Sequence, residues 1–323
     1  MIDTWGREIN YLRISLTDRC NMRCQYCMPD DVPSVGHDEI LRYEEILLIC
    51  RAALQVGIHR FKITGGEPLA RKGAISFMQS LRQLPGVQSM TLTTNGLLLQ
   101  PHIAALKQMG VDAVNISLDS LHADQFRQIS GVDGLSCVLQ TLVQTVQAGI
   151  RTKVNAVLLQ QTRNQLLPLA RLAEIMPVAV RFIEMMPIGY GTQQQGWSAD
   201  DALAVLQSAY PDLQVDARRH GNGPAVYYTS QKLQGCLGMI AANTHKFCRQ
   251  CNRMRLTSTG FLKPCLCYDD GVDLKAIVRS GRTDVLAALR QAIGRAAAQK
   301  PTGHCFDTVG QITENKTMNQ IGG

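Results

Sequence analysis

Between residues 11 and 184 the chain repeats one unit six times: a short β-branched, apolar run followed by a longer amphipathic stretch. The apolar runs are "YLRISLT" (11–17), "HRFKIT" (59–64), "QSMTLTT" (88–94), "DAVNISL" (112–118), "RTKVNAVL" (151–158) and "AVRFIE" (179–184). Between them the 3.6-residue periodicity predicts helices over 43–57, 73–84, 101–109, the stretch up to 139–149, and 165–175. Several close on a glycine (Gly57, Gly86, Gly110, Gly149), the residue that ends helices at least cost. Strict alternation of this kind demands parallel strands joined by helical crossovers. Six units fit a partial (β/α)6 TIM-like barrel, and an open doubly wound sheet is the alternative. Beyond Pro187 the pattern changes to loops, a hairpin over "GPAVYYTSQKL" and "GCLGMI", and two helices near 272–298. The expected organisation is a barrel over 1–186 and a C-terminal elaboration over 187–323.

The unusual residues gather after the strands. "RCNMRCQYC" follows the first, "TGGEP" (64–68) the second, "TTNG" (93–96) the third, "SLDS" (117–120) the fourth and "EMMP" (184–187) the sixth. All five lie at the C-terminal ends of strands, the barrel rim that carries active sites.

Cys20, Cys24 and Cys27 form a C-x3-C-x2-C triplet. A structural zinc site asks for four ligands, whereas a cubane iron–sulfur cluster takes one thiolate per iron. Three thiolates on one loop leave one iron open to a small molecule; a zinc knuckle that borrows its fourth ligand is the rival. A second set, Cys248, Cys251, Cys265 and Cys267, has the spacing C-x2-C-x13-C-x-C and also allows a zinc ribbon. Its closing pair is tight for zinc. Arg253 and Arg255 alternate beside it on a stretch that reads as extended, so two guanidiniums could grip a phosphate. The other four cysteines, Cys50, Cys137, Cys236 and Cys305, read as inert thiols.

The triplet, with Tyr26 before its last cysteine and on the loop after the first strand, resembles the radical S-adenosylmethionine superfamily. The "GGEP" turn is similar to that superfamily's second motif, where bare backbone approaches the ligand's amino group. The series "LRISLTDRCNMRCQYCMP", "ITGGEPL", "LTTNG", "ISLDSL", "KVNAV", "RFIEMMPIG", "CNRMRL" and the final "GG" resembles, in order and over residues 12–323, the branch that begins molybdenum cofactor biosynthesis by cyclising GTP.

That resemblance implies two 4Fe–4S clusters, the first on Cys20, Cys24 and Cys27 and the second on Cys248, Cys251 and Cys265, whose open iron binds guanine. It implies S-adenosylmethionine contacts from Tyr26, Gly66, Ser117 and Met186. It implies GTP contacts from Arg13, Lys62, Thr93, Lys153, Arg253 and Arg255, and a tail, Gly322 and Gly323, that reaches the active site. A 5′-deoxyadenosyl radical would take hydrogen from ribose C3′, and the carbon radical would attack C8 of guanine. A homodimer, an external reductant and hand-off of product to cyclic pyranopterin monophosphate synthase also follow. Lys62 stands where the family commonly has arginine, and Cys267 is an additional thiol.

Composition agrees. Thirty-three Lys and Arg against 26 Asp and Glu give +7, a mild excess that suits an anionic ligand and that an ordinary solvated surface explains as well. Arg13 and Lys153 on strands would point cations into a barrel, which is costly without a partner. A bound triphosphate or a core carboxylate such as Glu184 could supply one. No basic region with an apolar core opens the chain, so no signal peptide is expected. No apolar run reaches a membrane span, no aromatic–basic stripe suggests nucleic acid, and eleven cysteines in a chain expected in the cytoplasm argue for metal or catalysis rather than disulfides.

Overall fold

Period-two patterning in the six apolar runs dictates what each strand buries. Leu12 and Ile14, Phe61 and Ile63, Met90 and Leu92, Val114 and Ile116, Val154 and Ala156, and Val180 and Phe182 belong to one apolar core. Their alternate neighbours are Arg13, Lys62, Thr91, Thr93, Asn115, Lys153, Asn155 and Arg181. A strand with one polar face and one apolar face needs helices outside and a polar space inside, which an open curved sheet provides.

The computed structural model, which describes residues 1–28, 35–218 and 220–323, has this arrangement. The end of the first cysteine motif, from Pro29, lies outside the described residues. Strands β1 (Tyr11–Ser15), β2 (Arg60–Thr64), β3 (Ser89–Thr94), β4 (Ala113–Ser117), β5 (Thr152–Leu158) and β6 (Ala179–Glu184) are parallel and adjacent in order. The crossover helices are α1 (Tyr43–Gln55), α2 (Ala74–Arg82), α3 (Ile103–Gln108), α4 (Ala123–Ser130), α5 (Leu135–Gln147), α6 (Leu166–Ala170) and α7 (Leu172–Ile175). The single helix expected over 165–175 is two short ones, broken at Arg171.

The C-terminal region joins this sheet. After α8 (Ala199–Ala209) come β7 (Gln214–Val215), β8 (Val226–Thr229) and β9 (Cys236–Ile240), with β8 and β9 forming the expected antiparallel hairpin. β9 then pairs parallel with β6. At the other edge β10 (Arg253–Leu256) pairs parallel with β1 and continues antiparallel into β11 (Phe261–Lys263) and β12 (Val272–Asp273). Eight parallel strands therefore curve around the polar space, two of them supplied from beyond Pro187. α9 (Leu274–Val278) and α10 (Val285–Ala298) pack on α1. Buried Glu45 ties these parts together: it accepts from Arg42 N at 2.6 Å, capping α1, and from Arg279 Nε at 2.8 Å just past α9.

Candidate active site

The polar face of the sheet lines a cavity of about 340 Å3. Cys20, Cys24 and Cys27 stand on its wall at the C-terminal rim, and Cys248, Cys251 and Cys265 stand on the same wall from the other side. Tyr26, Gly66, Thr93, Ser117, Met186, Arg13, Lys62, Arg253, Arg255 and Gly323 complete the set that sequence reasoning picked out. Two members differ. Gly322 lies behind the wall, its carbonyl accepting from Thr64 Oγ1 at 3.2 Å. Lys153 is also off it, its ammonium donating to the His220 carbonyl and to Tyr227 Oη at 2.8 Å.

The triplet loop is held by backbone. Gly66 N donates to Thr17 O at 2.7 Å and Glu67 N to Arg19 O at 2.8 Å. A Cβ on Gly66 would lie 2.3 Å from Arg19 O. "GGEP" therefore needs its glycine first of all to seat against the cysteine loop, backbone to backbone. Glu67 reaches on to Asn95 N at 2.7 Å and Thr94 Oγ1 at 2.9 Å, joining the second and third loops. Burial pushes its carboxyl up to about 7 against those bonds. Tyr26 donates to Asp119 Oδ2 at 2.7 Å, and Asp119 accepts from Val157 N at 2.8 Å, joining the first and fourth loops to β5.

Both cysteine sets suit clusters. Burial raises the Cys20 and Cys24 thiols, and it pushes Cys27 up to about 12 with help from Cys20. All three thiols line the same cavity wall, and a thiolate there needs a metal or a nearby cation to stabilise it. Among the described residues no three Cys, His, Asp or Glu side chains converge on one ion. A cubane takes one thiolate per iron, so three cysteines on one wall offer ligands for three of its four irons. In the second set Cys265 is a charge neighbour of Cys248 and Cys251. Cys251 behaves oppositely: burial pushes it up, but Arg253 and Lys300 beside it bring it down to about 7. Cys267 is turned away, fully buried with its Sγ 3.2 Å from that of Cys305.

Arg255 on β10, Arg13 on β1 and Lys62 on β2 are in register, three cations side by side. Like charges on neighbouring strands repel. Burial, then Arg253 and Arg181, bring the Arg13 guanidinium down to about 10. Lys62 is driven well below its ordinary value by burial first and then Arg13, Arg181, Lys153 and Arg253. The ion pairs of the described residues use other cations, and the Nε atoms of Arg13 and Arg253 are buried without a partner. Glu184 offers them no countercharge, since its carboxylate accepts from Ala199 N, Asn243 N, Thr244 N and Thr244 Oγ1. Arg13 Nη2 and Arg255 Nη1 instead donate to the Gly323 carbonyl, the latter at 3.0 Å. The site has the electrostatics of a polyanion receptor.

Two of the wall residues not picked out from the sequence are cations. Arg181, on β6, donates to Asn155 Oδ1 at 2.9 Å and contributes another cation. Its alternation with Val180 and Phe182 was the available signal. Lys300 follows α10 and its proximity to cysteines fifty residues away left no mark in the sequence.

Comparison with known proteins bears on the whole chain. Residues 14–173 match the radical SAM superfamily and residues 178–306 match Molybdenum Cofactor Synthesis C. A protein of Pelotomaculum thermopropionicum named GTP 3′,8-cyclase is 42% identical over 330 residues, covering 100% of both chains. One of the same name from Clostridium perfringens is 36% identical over 325 residues, again covering 100% of both. Among solved structures, Streptococcus suis SuiB bound to S-adenosylmethionine aligns with a TM-score of 0.65 at 14% identity, over 96% of this chain and 76% of that one, a likeness of fold. No helix among the described residues is long and apolar enough to cross a membrane.

Proposed function

The chain belongs to the GTP 3′,8-cyclase family within the radical S-adenosylmethionine superfamily, and from that membership we propose how its cavity carries out the reaction. The chain is a lyase that converts GTP to (8S)-3′,8-cyclo-7,8-dihydroguanosine 5′-triphosphate, the first step of molybdenum cofactor biosynthesis. Its cofactors are S-adenosylmethionine and two 4Fe–4S clusters. When bound, these supply the electron and the hydrogen-abstracting radical that start the reaction at ribose C3′.

Cys20, Cys24 and Cys27 hold the first cluster, and Cys248, Cys251 and Cys265 the second. Tyr26, Gly66, Ser117 and Met186 line the space for S-adenosylmethionine, with Tyr26 fixed by its bond to Asp119. Arg13, Lys62, Arg253 and Arg255 take the triphosphate, and Arg181 belongs with them. Thr93, fixed by Asn115 Nδ2 at 3.2 Å, presents a hydroxyl to the nucleotide. Lys153 joins only when His220 and Tyr227 give up its ammonium. The Gly322–Gly323 tail sits among the same guanidiniums and orders them before GTP arrives.

The observation that carries this reading is one cavity holding two cysteine triplets and a row of buried cations that, among the described residues, form no ion pair with a side-chain carboxylate. A homodimer, an external one-electron reductant, hand-off to cyclic pyranopterin monophosphate synthase and a cytoplasmic setting belong to the proposal and rest on the family resemblance. The test is anaerobic iron, sulfide and zinc analysis followed by GTP turnover. About eight irons per chain, two cubanes' worth, and a cyclised product are expected. Four irons plus one zinc would make the second site structural and remove the GTP assignment.

A further inference from the structure

Resting on the reading of Cys248, Cys251 and Cys265 as cluster ligands, we propose that Lys300 is a positioning residue for the auxiliary cluster: its ammonium knits the ligand-bearing segments together and supplies a fixed positive charge against the cluster.

Lys300 is only 3% exposed and lines the cavity beside the second cysteine set. Its Nζ donates to the Arg253 carbonyl at 2.9 Å and to the Pro264 carbonyl at 2.5 Å. Arg253 lies two residues after Cys251 and Pro264 immediately before Cys265, so one ammonium clamps the two strands that bring those cysteines together. The third cysteine is held from the same place. Arg7, paired with Asp3 at 2.6 Å, donates to Cys248 O at 3.0 Å and to Pro301 O at 2.7 Å, and Trp5 Nε1 donates to Lys300 O at 2.9 Å. The N-terminal arm thus fixes the backbone of Lys300 while its side chain fixes the cradle.

No ion pair of the described residues includes Lys300. Two carbonyl dipoles are poor compensation for a buried ammonium, because a desolvated charge needs a countercharge as well as hydrogen bonds. Three thiolates on an iron–sulfur core leave a net negative charge at this spot. Charge and hydrogen bonding near the sulfurs set a cluster's reduction potential, so Lys300 would make the auxiliary cluster easier to reduce than it would be without that ammonium.

The test is an anaerobic redox titration of the holoenzyme, followed by electron paramagnetic resonance, for wild type, Lys300→Met and Lys300→Arg. Added S-adenosylmethionine identifies the first cluster's wave, leaving the other as the auxiliary. In Lys300→Met the reduced-to-oxidised ratio of the auxiliary cluster at fixed potential should fall about tenfold, or about 59 mV for a one-electron couple. The first cluster should not move, and Lys300→Arg should stay near wild type. An unmoved auxiliary wave in Lys300→Met, with its irons intact, overturns the inference. If Lys300→Met loses four irons, retention in Lys300→Arg supports it and loss there too overturns it. A wild type without a second cluster would defeat the ligand reading itself, which is a separate result from an unmoved wave in a fully loaded protein.

Discussion

Arg13→Met separates a cation that waits for a ligand from one that holds the fold. Arg13 sits at the centre of the in-register row, between Arg255 and Lys62. Its guanidinium falls from 12.5 to about 10, first through burial and then through Arg253 and Arg181. A base whose pKa drops on folding carries a cost that is full below the folded value and fades only between about 10 and 12.5. At ~1.36 kcal/mol per pH unit, that cost is about 3 kcal/mol in the ligand-free protein at neutral pH. Methionine fills similar space without charge. It forfeits the bonds to Gly322 and Gly323, about 1.5–3 kcal/mol for a charged donor, so the two effects nearly cancel. A cation paired with a core carboxylate would behave otherwise, its removal costing about 3–5 kcal/mol. With ~2.1 cal/mol/K of unfolding entropy per residue, 323 residues make 1 kcal/mol worth about 1.5 °C. The ligand-free variant should therefore melt within about 2 °C of wild type or slightly above it, while a structural ion pair would drop it by about 4–7 °C. GTP affinity should weaken by about 2–5 kcal/mol, as for any buried charge contact left one-sided. Anaerobic calorimetric melting with and without GTP reads both. A ligand-free loss beyond about 4 °C with the GTP-induced rise intact would refute the argument.

Cys265→Ala should lose four irons per chain, while Cys267→Ala should keep all of them, because Cys267 faces Cys305 rather than the cavity; iron analysis decides, and the opposite pattern would reassign the ligand. Glu67, whose carboxyl is raised to about 7 by burial, makes the ligand-free fold less stable as pH rises from about 4.5 to 7. At ~1.36 kcal/mol per unit the loss is about 3 kcal/mol, and denaturant unfolding of Glu67→Gln should lack that slope; a variant with the wild-type slope would assign it elsewhere. Gly66→Ala puts a Cβ 2.3 Å from Arg19 O, so the triplet loop must move, and the protein should bind only the second set of irons. Full loading of both clusters in that variant would show that the seat tolerates a side chain.

How much of this could be read in the sequence depends on whether the cause was local. β1–β6 were legible because alternation along each strand records which face is buried. Arg253 and Arg255 were legible because two residues apart on a strand means the same side. β9 and β10 were not legible as members of the parallel sheet. "GCLGMI" and "RMRL" state only that they are extended, and pairing with β6 and β1 is decided by tertiary contact. Lys300 was hidden for the same reason, since nothing in "AQKPTGH" reports the carbonyls of Arg253 and Pro264.

Lys153 shows why a residue can be legible in type and still misplaced in geometry. Its position on β5, in register with Asn115, points it inward with the other cations, as period two requires. Yet its ammonium is taken by His220 and Tyr227, and Arg181 on the next strand fills the wall. The same repulsion explains both facts. Burial, with Arg181 and Arg151, brings the Lys153 ammonium down to about 7, so a lysine that can find a carbonyl leaves the crowded floor. Arginine keeps its charge under nearly any burial and stays. A triphosphate on the floor would reverse that balance, since it would make the floor the more attractive place for an ammonium. The loop from Gly221 to Pro224, which lies against Lys153 and borders the cavity, would then have to move if Lys153 is to reach it.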